Sequence, residues 1–148
     1  MLKQEDGMTM IESLLVLSLV SVIISMPVAH FKRLSKRTET ELFIEAMSAS
    51  LTLVQNYAVL NDEWTVVEFK PSHKEVSFRV VGRRGHPIEH TLVLPDHLQM
   101  LNNGMEFRFS RKSGNIGTYG PVRFRTPEGM IEFAFQMGSG RFEIRKPE

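Results

Sequence analysis

Cysteine is missing from this 148-residue chain. Its absence excludes disulfides, a thiolate nucleophile, thiolate zinc sites and a lipidated anchor. A small domain outside the cytoplasm would then be held by packing alone, or by neighbours. An excess of one charge is missing too. Eighteen Lys+Arg stand against 17 Asp+Glu, for a formal net charge of +1, and so no global field marks a nucleic-acid binder. Nor is there a glycine-rich phosphate loop, a nucleophile elbow or a convincing pair of acids. The chain offers little to an enzyme, no cofactor is expected, and the length allows one domain plus an appendage.

What the chain does have is a long apolar run near its start, "DGMTMIESLLVLSLVSVIIS", and no formal charge from Ser13 to Ala29. As a helix, Met8 to Ala29 would rise about 33 Å, enough to cross the core of a bilayer. Glu12 stands at the edge of this run. An ionised carboxylate in hydrocarbon costs roughly 2.5–3.5 kcal/mol on insertion scales, so an acid kept there is expected to have a role and a partner. A cleaved secretory signal fits poorly, because Lys3 is offset by Glu5 and Asp6, and a cut after Ala29 would put Pro27 where a small residue belongs. A plain signal anchor leaves Glu12 unexplained, unless it snorkels to the headgroups.

The stretch from Gly7 to Glu12, "GMTMIE", followed at once by the apolar run, resembles the signature of the type IV pilin and pseudopilin family. The resemblance implies that a prepilin peptidase cuts between Gly7 and Met8, on the cytoplasmic side, and methylates the new N-terminus at Met8. Glu12 then matches the acid that serves assembly. The family usually has Phe where Met8 stands, and this leader lacks the usual net positive charge. Physical chemistry agrees with the motif. Cleavage creates an α-amino group with a reference pKa of about 7.7–8.0, and Glu12 can pair with it, on its own chain or the next subunit, which lowers the cost of burial. An acid in the first turns of a helix also complements the macrodipole. The four cations of "FKRLSKR", Phe31 to Arg37, would be placed in the cytoplasm by the positive-inside rule. The motif implies the opposite topology, with the leader inside, and the motif is preferred.

The expected organisation is a cleaved leader over 1–7, a transmembrane and assembly helix over 8–30, an amphipathic helix over 31–60 and an antiparallel β-sheet domain over 61–148. Pro27 removes a backbone hydrogen bond and should kink the helix. Ser18, Ser21 and Ser25 share one face, either for close helix approach or bonded to their own preceding carbonyls. Further on, Phe43, Met47, Ser50, Val54, Tyr57 and Ala58 follow helical spacing, with Glu41, Glu45, Ser48, Thr52 and Asn56 on the other side. After "LND" the apolar period becomes two. Strands are predicted over 66–69, 76–80, 88–94, 105–109, 122–124, 131–137 and 142–144, with hairpin turns at "GRRG" and "GSG". The fold class is α+β: a long N-terminal helix, transmembrane then amphipathic, packed by a small antiparallel sheet, an order that also matches the pilin fold.

Of the five histidines, His86 and His90 are the closest to a metal pattern. On a strand they would lie about 13 Å apart, too far to share an ion. The basic cluster Lys32, Arg33, Lys36 and Arg37 reads best as a solvated helix face near Glu39, Glu41 and Glu45. Arg141, Arg145 and Lys146 are the candidate DNA contacts, with Arg111, Lys112, Arg123 and Arg125 nearby, but Glu143 would share the face of Arg141 and Arg145 and dilute it. The tail, with "WTVVEFKPSHKEVSFRV", "GNIGTYGPVRF" and "MGSGRFEI", resembles the branch of small minor pseudopilins, and most of all the competence-pilus minor pilins (ComGD-like). That resemblance implies a subunit of a type IV-like competence pilus for DNA uptake in natural transformation, priming or capping the fibre. A DNA-binding tip receptor of the same pilus and a minor pseudopilin of a type II-like secretion system are the alternatives. The implied partners are the prepilin peptidase, the major pilin, other minor pilins and the membrane, with DNA as a further candidate. The implied location is a single pass through the cell membrane with the C-terminal domain extracytoplasmic, then the cell surface after assembly.

Overall fold

The computed structural model describes residues 9–118 and 120–146, with the backbone alone for 26–30. The fold is α+β. One long helix, α1 (Met10–Asn61), precedes β1 (Thr65–Lys70), β2 (Glu75–Val80), β3 (His90–Val93), β4 (Gln99–Met100), β5 (Met105–Phe109), β6 (Gly120–Thr126), β7 (Gly129–Phe135) and β8 (Phe142–Arg145). The chain forms two compact units, dividing between Thr38 and Glu39.

The first unit is helical, and its described side chains, 9–25 and 31–38, are all exposed. Its serines turn back on their own helix. Ser18 donates to the Leu15 carbonyl at 2.8 Å, Ser21 to that of Leu17 at 2.8 Å and Ser25 to that of Ser21 at 2.6 Å. Bonds to the carbonyl four residues before are present at Ser21 and Ser25, and Ser18 bonds the carbonyl three before it. The helix runs through Pro27 as one element, and the kink expected there falls on residues whose side chains lie outside the description. Among the described residues no helix is long and apolar enough to cross a membrane. The span expected over 8–30 includes Met8 and the side chains of 26–30, which lie outside the described residues.

In the second unit the helix buries a stripe of Phe43, Met47, Leu51, Val54 and Ala58, spaced by three and four residues as one helical face requires. Glu41, Glu45, Thr52 and Asn56 stay exposed. The helix stops where Asp62 turns left-handed, at φ 54°, and Asn61 donates from its side chain to the Tyr57 carbonyl at 3.2 Å, one of the last-turn acceptors left without a helical partner.

The β region departs from the expected single sheet. It makes two four-stranded antiparallel sheets, β3-β2-β1-β5 and β4-β6-β7-β8. The physical reason is that β5 pairs with β1, Val67 opposite Phe107, while β6 to β8 form a meander of their own. Short β4, which joins β6, was not predicted. β3 starts only at His90 and β7 ends at Phe135. Both sheets turn alternate side chains into one cluster with the helical stripe: Phe69, Phe78 and Phe107 from the first, Phe124, Phe133 and Phe135 from the second. Phe107 and Phe135 stack at 4.2 Å and join the two sheets, while Phe43 meets Phe124 edge-on at 5.7 Å from the helix. Burying such side chains contributes about 1.5–3 kcal/mol each. The buried Thr65 hydroxyl donates to the Val54 carbonyl at 3.0 Å, so the helix–strand corner carries no unpaired donor.

Candidate functional site

Gly7 and Met8, the residues of the expected cleavage, lie outside the described residues. Glu12 falls in the first turn of α1, one residue before Ser13, whose backbone N–H donates to the Thr9 carbonyl at 3.1 Å. Around it the apolar side chains point in every direction and remain bare: Ile11 is 74% exposed, Leu15 65% and Ile24 65%. A helix that is apolar all round belongs in an apolar surrounding, and proteins free in water rarely expose contiguous apolar patches above a few hundred Å². Glu12 is the single charged residue between Thr9 and Ser25. The arrangement is an apolar rod with one carboxylate at its N-terminal end, where the helix dipole favours negative charge.

The C-terminal cations do not gather into a phosphate stripe. Arg141, Arg145 and Lys146 are all exposed, but Arg145 reaches Glu132 at 3.3 Å and Glu143 at 3.4 Å. Glu132 also accepts from Arg123 at 2.8 Å. The sheet register explains this, since Arg123, Glu132 and Arg145 stand opposite one another across β6, β7 and β8. The carboxylate of Glu132 between two guanidinium groups adds to the dilution by Glu143 already expected of the candidate DNA contacts.

Three histidines tie the β region to the helix instead of forming a metal site. His97 lies 2.8 Å from the Thr40 hydroxyl, His90 2.8 Å from that of Ser50 and His86 3.0 Å from that of Tyr57. His90 also stacks on Phe78 at 4.6 Å. The tautomer of His86 follows from its neighbours: Nδ1 accepts from the Ile88 N–H, so Nε2 donates to Tyr57 and the Tyr57 hydroxyl donates to Glu63 at 3.3 Å. Burial and then the Glu63 carboxylate raise the Tyr57 pKa above its ordinary value. Among the described residues no three acidic or histidine side chains converge on a point that could hold a metal ion.

A concavity of about 320 Å³ on the outer side of the first sheet is lined by Arg79, Arg83, Arg84 and Arg108 around Val66. Three of these arginines are paired: Arg79 with Glu68 at 2.7 Å, Arg83 with Glu63 at 2.6 Å and Arg108 with Glu106 at 2.6 Å. Glu89 organises the neighbouring loop, accepting from the Gly85 N–H at 2.8 Å and the Val80 N–H at 3.3 Å. Burial opposes its ionisation, yet the backbone donors Gly85, Val80 and His86 outweigh burial and hold its carboxyl below the ordinary value. The signal for this concavity in the sequence is "GRRG", which reads as a hairpin turn, next to the outward-facing strand residues Arg79 and Arg108. Comparison with family models, with curated proteins and with solved structures gave no match.

Proposed function

We propose that this chain is a minor pilin-like subunit. A prepilin peptidase cuts it between Gly7 and Met8 and methylates Met8. The apolar helix holds it in the cell membrane with the β region outside, then carries it into a type IV-like competence pilus, where it primes or caps the fibre for DNA uptake. In this reading the chain is the substrate of a peptidase and a structural partner, not an enzyme.

The observation that carries the proposal is a lone acid, Glu12, in the first turn of α1, whose apolar side chains from Met10 to Ile24 are bare on all sides. Such a rod needs lipid or other apolar helices around it, and a buried carboxylate needs a cation. The cut between Gly7 and Met8 supplies one, the new α-amino group, four residues before Glu12 on the same chain and equally available to a neighbouring subunit. A charge pair formed only after cleavage would fix the axial register of packed helices.

The test is the intact mass and N-terminal peptide of the membrane-extracted full chain, from cells with and without the host's prepilin peptidase. Loss of "MLKQEDG" and a methylated Met8, both only where the peptidase is present, are the expected results. An uncut Met1 end in both samples overturns the proposal.

A further inference from the structure

Beyond the apolar run, the helix of the first unit carries Phe31, Lys32, Arg33, Leu34, Lys36 and Arg37, all exposed. At about 100° per residue, the four cations fall within an arc of about 140°, while Phe31 and Leu34 lie on the opposite side. Phe31 is 73% exposed and Leu34 61%. Between Glu12 and Glu39 the sequence holds no acid, and among the described residues Lys32 and Arg33 form no ion pair.

We propose that residues 31–37 form a collar that binds the headgroups of anionic phospholipids. Lys32 and Arg33 meet the lipid phosphates, and Phe31 and Leu34 lodge at the boundary between headgroup and acyl chain. The inference rests on the membrane reading above and goes beyond it by naming the lipid. Two observations select this occupant. The collar continues directly from the apolar run, so its turns would lie at headgroup depth when that run is in the bilayer. Its pattern, cations on one side and an aromatic and a leucine on the other, is that of an interfacial amphipathic segment. Clustered Lys and Arg next to a membrane span attract anionic lipid over a Debye length and lose that attraction in salt. Zwitterionic headgroups bring their own cation and offer no net charge to the cluster. A duplex nucleic acid would use the cations but leave Phe31 and Leu34 in water.

The experiment reconstitutes the full chain in vesicles of equimolar phosphatidylcholine and phosphatidylglycerol. Flotation is measured first, and the lipids retained after gentle detergent extraction are then counted by native mass spectrometry. The wild type is expected to float and to retain phosphatidylglycerol over phosphatidylcholine by about two- to five-fold. The enrichment should fall to about one in the double variant K32S/R33S, which still floats, and in the wild type at high salt. A wild type that floats without enrichment, or a variant that keeps it, overturns the collar and leaves the membrane reading standing. A chain that does not float overturns both. Displacement of the retained lipid by a short DNA duplex would assign the surface to nucleic acid and overturn the lipid assignment.

Discussion

The two parts of α1 are built from similar residues and have opposite fates. Before Thr38 the described apolar side chains are all exposed, and the serines spend their hydroxyls on the helix itself. After Glu39 one stripe of apolar side chains is buried, while Leu42, Leu53 and Leu60 stay exposed, and hydroxyls at Thr40, Ser50 and Tyr57 meet histidines from the β region. The difference lies in where the apolar residues fall around the axis. A run apolar all round cannot be satisfied by one face of one domain, whereas a stripe of Phe43, Met47, Leu51, Val54 and Ala58 fits a single concave core. The first part has its apolar side chains bare, and the second carries its partner in the same chain.

The largest expected effect tests this contrast with the same substitution in each part. Leu51→Ala removes a fully buried side chain and should destabilise the β-containing unit by about 2–5 kcal/mol. Leu15→Ala, at an exposed position, should change the stability of that unit by less than about 0.5 kcal/mol. Denaturant unfolding of the full chain in mild detergent, followed by the fluorescence of the sole tryptophan, Trp64, reads both. Equal losses in the two variants would break the comparison.

Much of the second unit was legible because its physics is local. Helical spacing located Phe43, Met47, Ser50, Val54 and Ala58 on the covered side, and alternation located the strands of the phenylalanines. Ile44 and Leu51 were missed as members of the stripe, although both are buried. The division into two sheets was not legible. Which strand lies beside β1 depends on a pairing across the chain, and the alternation in β5 is the same whether it joins β1 or β6. The outward arginines were visible as residues but not as a concavity, because register alone puts Arg79 and Arg108 on either side of Val66. At the N-terminal site the motif was legible as a pattern of residue types. In the proposed reading its meaning depends on a peptidase and on neighbouring subunits.

A smaller effect is expected at the turn quoted as "GSG", where two glycines serve different ends. Gly138 has φ +80° and open space where a Cβ would stand. Gly140 has φ +65°, and a Cβ there would strike the Gly114 carbonyl and come within 2.5 Å of the Gln55 amide. Gln55, on the helix, donates to the Gly114 carbonyl at 3.1 Å and to that of Ser139 at 3.2 Å, tying two loops to the second part of α1. Gly138→Ala should cost about 1–2 kcal/mol, the left-handed backbone alone. Gly140→Ala should cost that and the Gln55 bonds as well, adding about 1 kcal/mol or more. The same unfolding assay separates them. Identical costs would mean that Gln55 contributes nothing to holding the helix.

The smallest effect sharpens the comparison through pH. Glu89 keeps in place the loop that delivers His86 to Tyr57, and so supports one of the contacts that give the second part of the helix its partner. Its carboxyl lies below the ordinary 4.5 in the folded chain, while in the unfolded chain it titrates near that ordinary value. The unfolded state therefore binds the proton first as pH falls. The contribution of Glu89 is fully present above pH 4.5, declines as pH drops through the folded pKa and is absent below it. Glu89→Gln replaces the carboxylate by a neutral amide with the same shape. The variant should unfold earlier than the wild type at pH 7, and the gap should close in the acid range below 4.5. Equal stability of the two chains at pH 7 would show that shape, not charge, orders the loop. It would also remove electrostatics from the contacts that distinguish the covered part of α1 from the bare one.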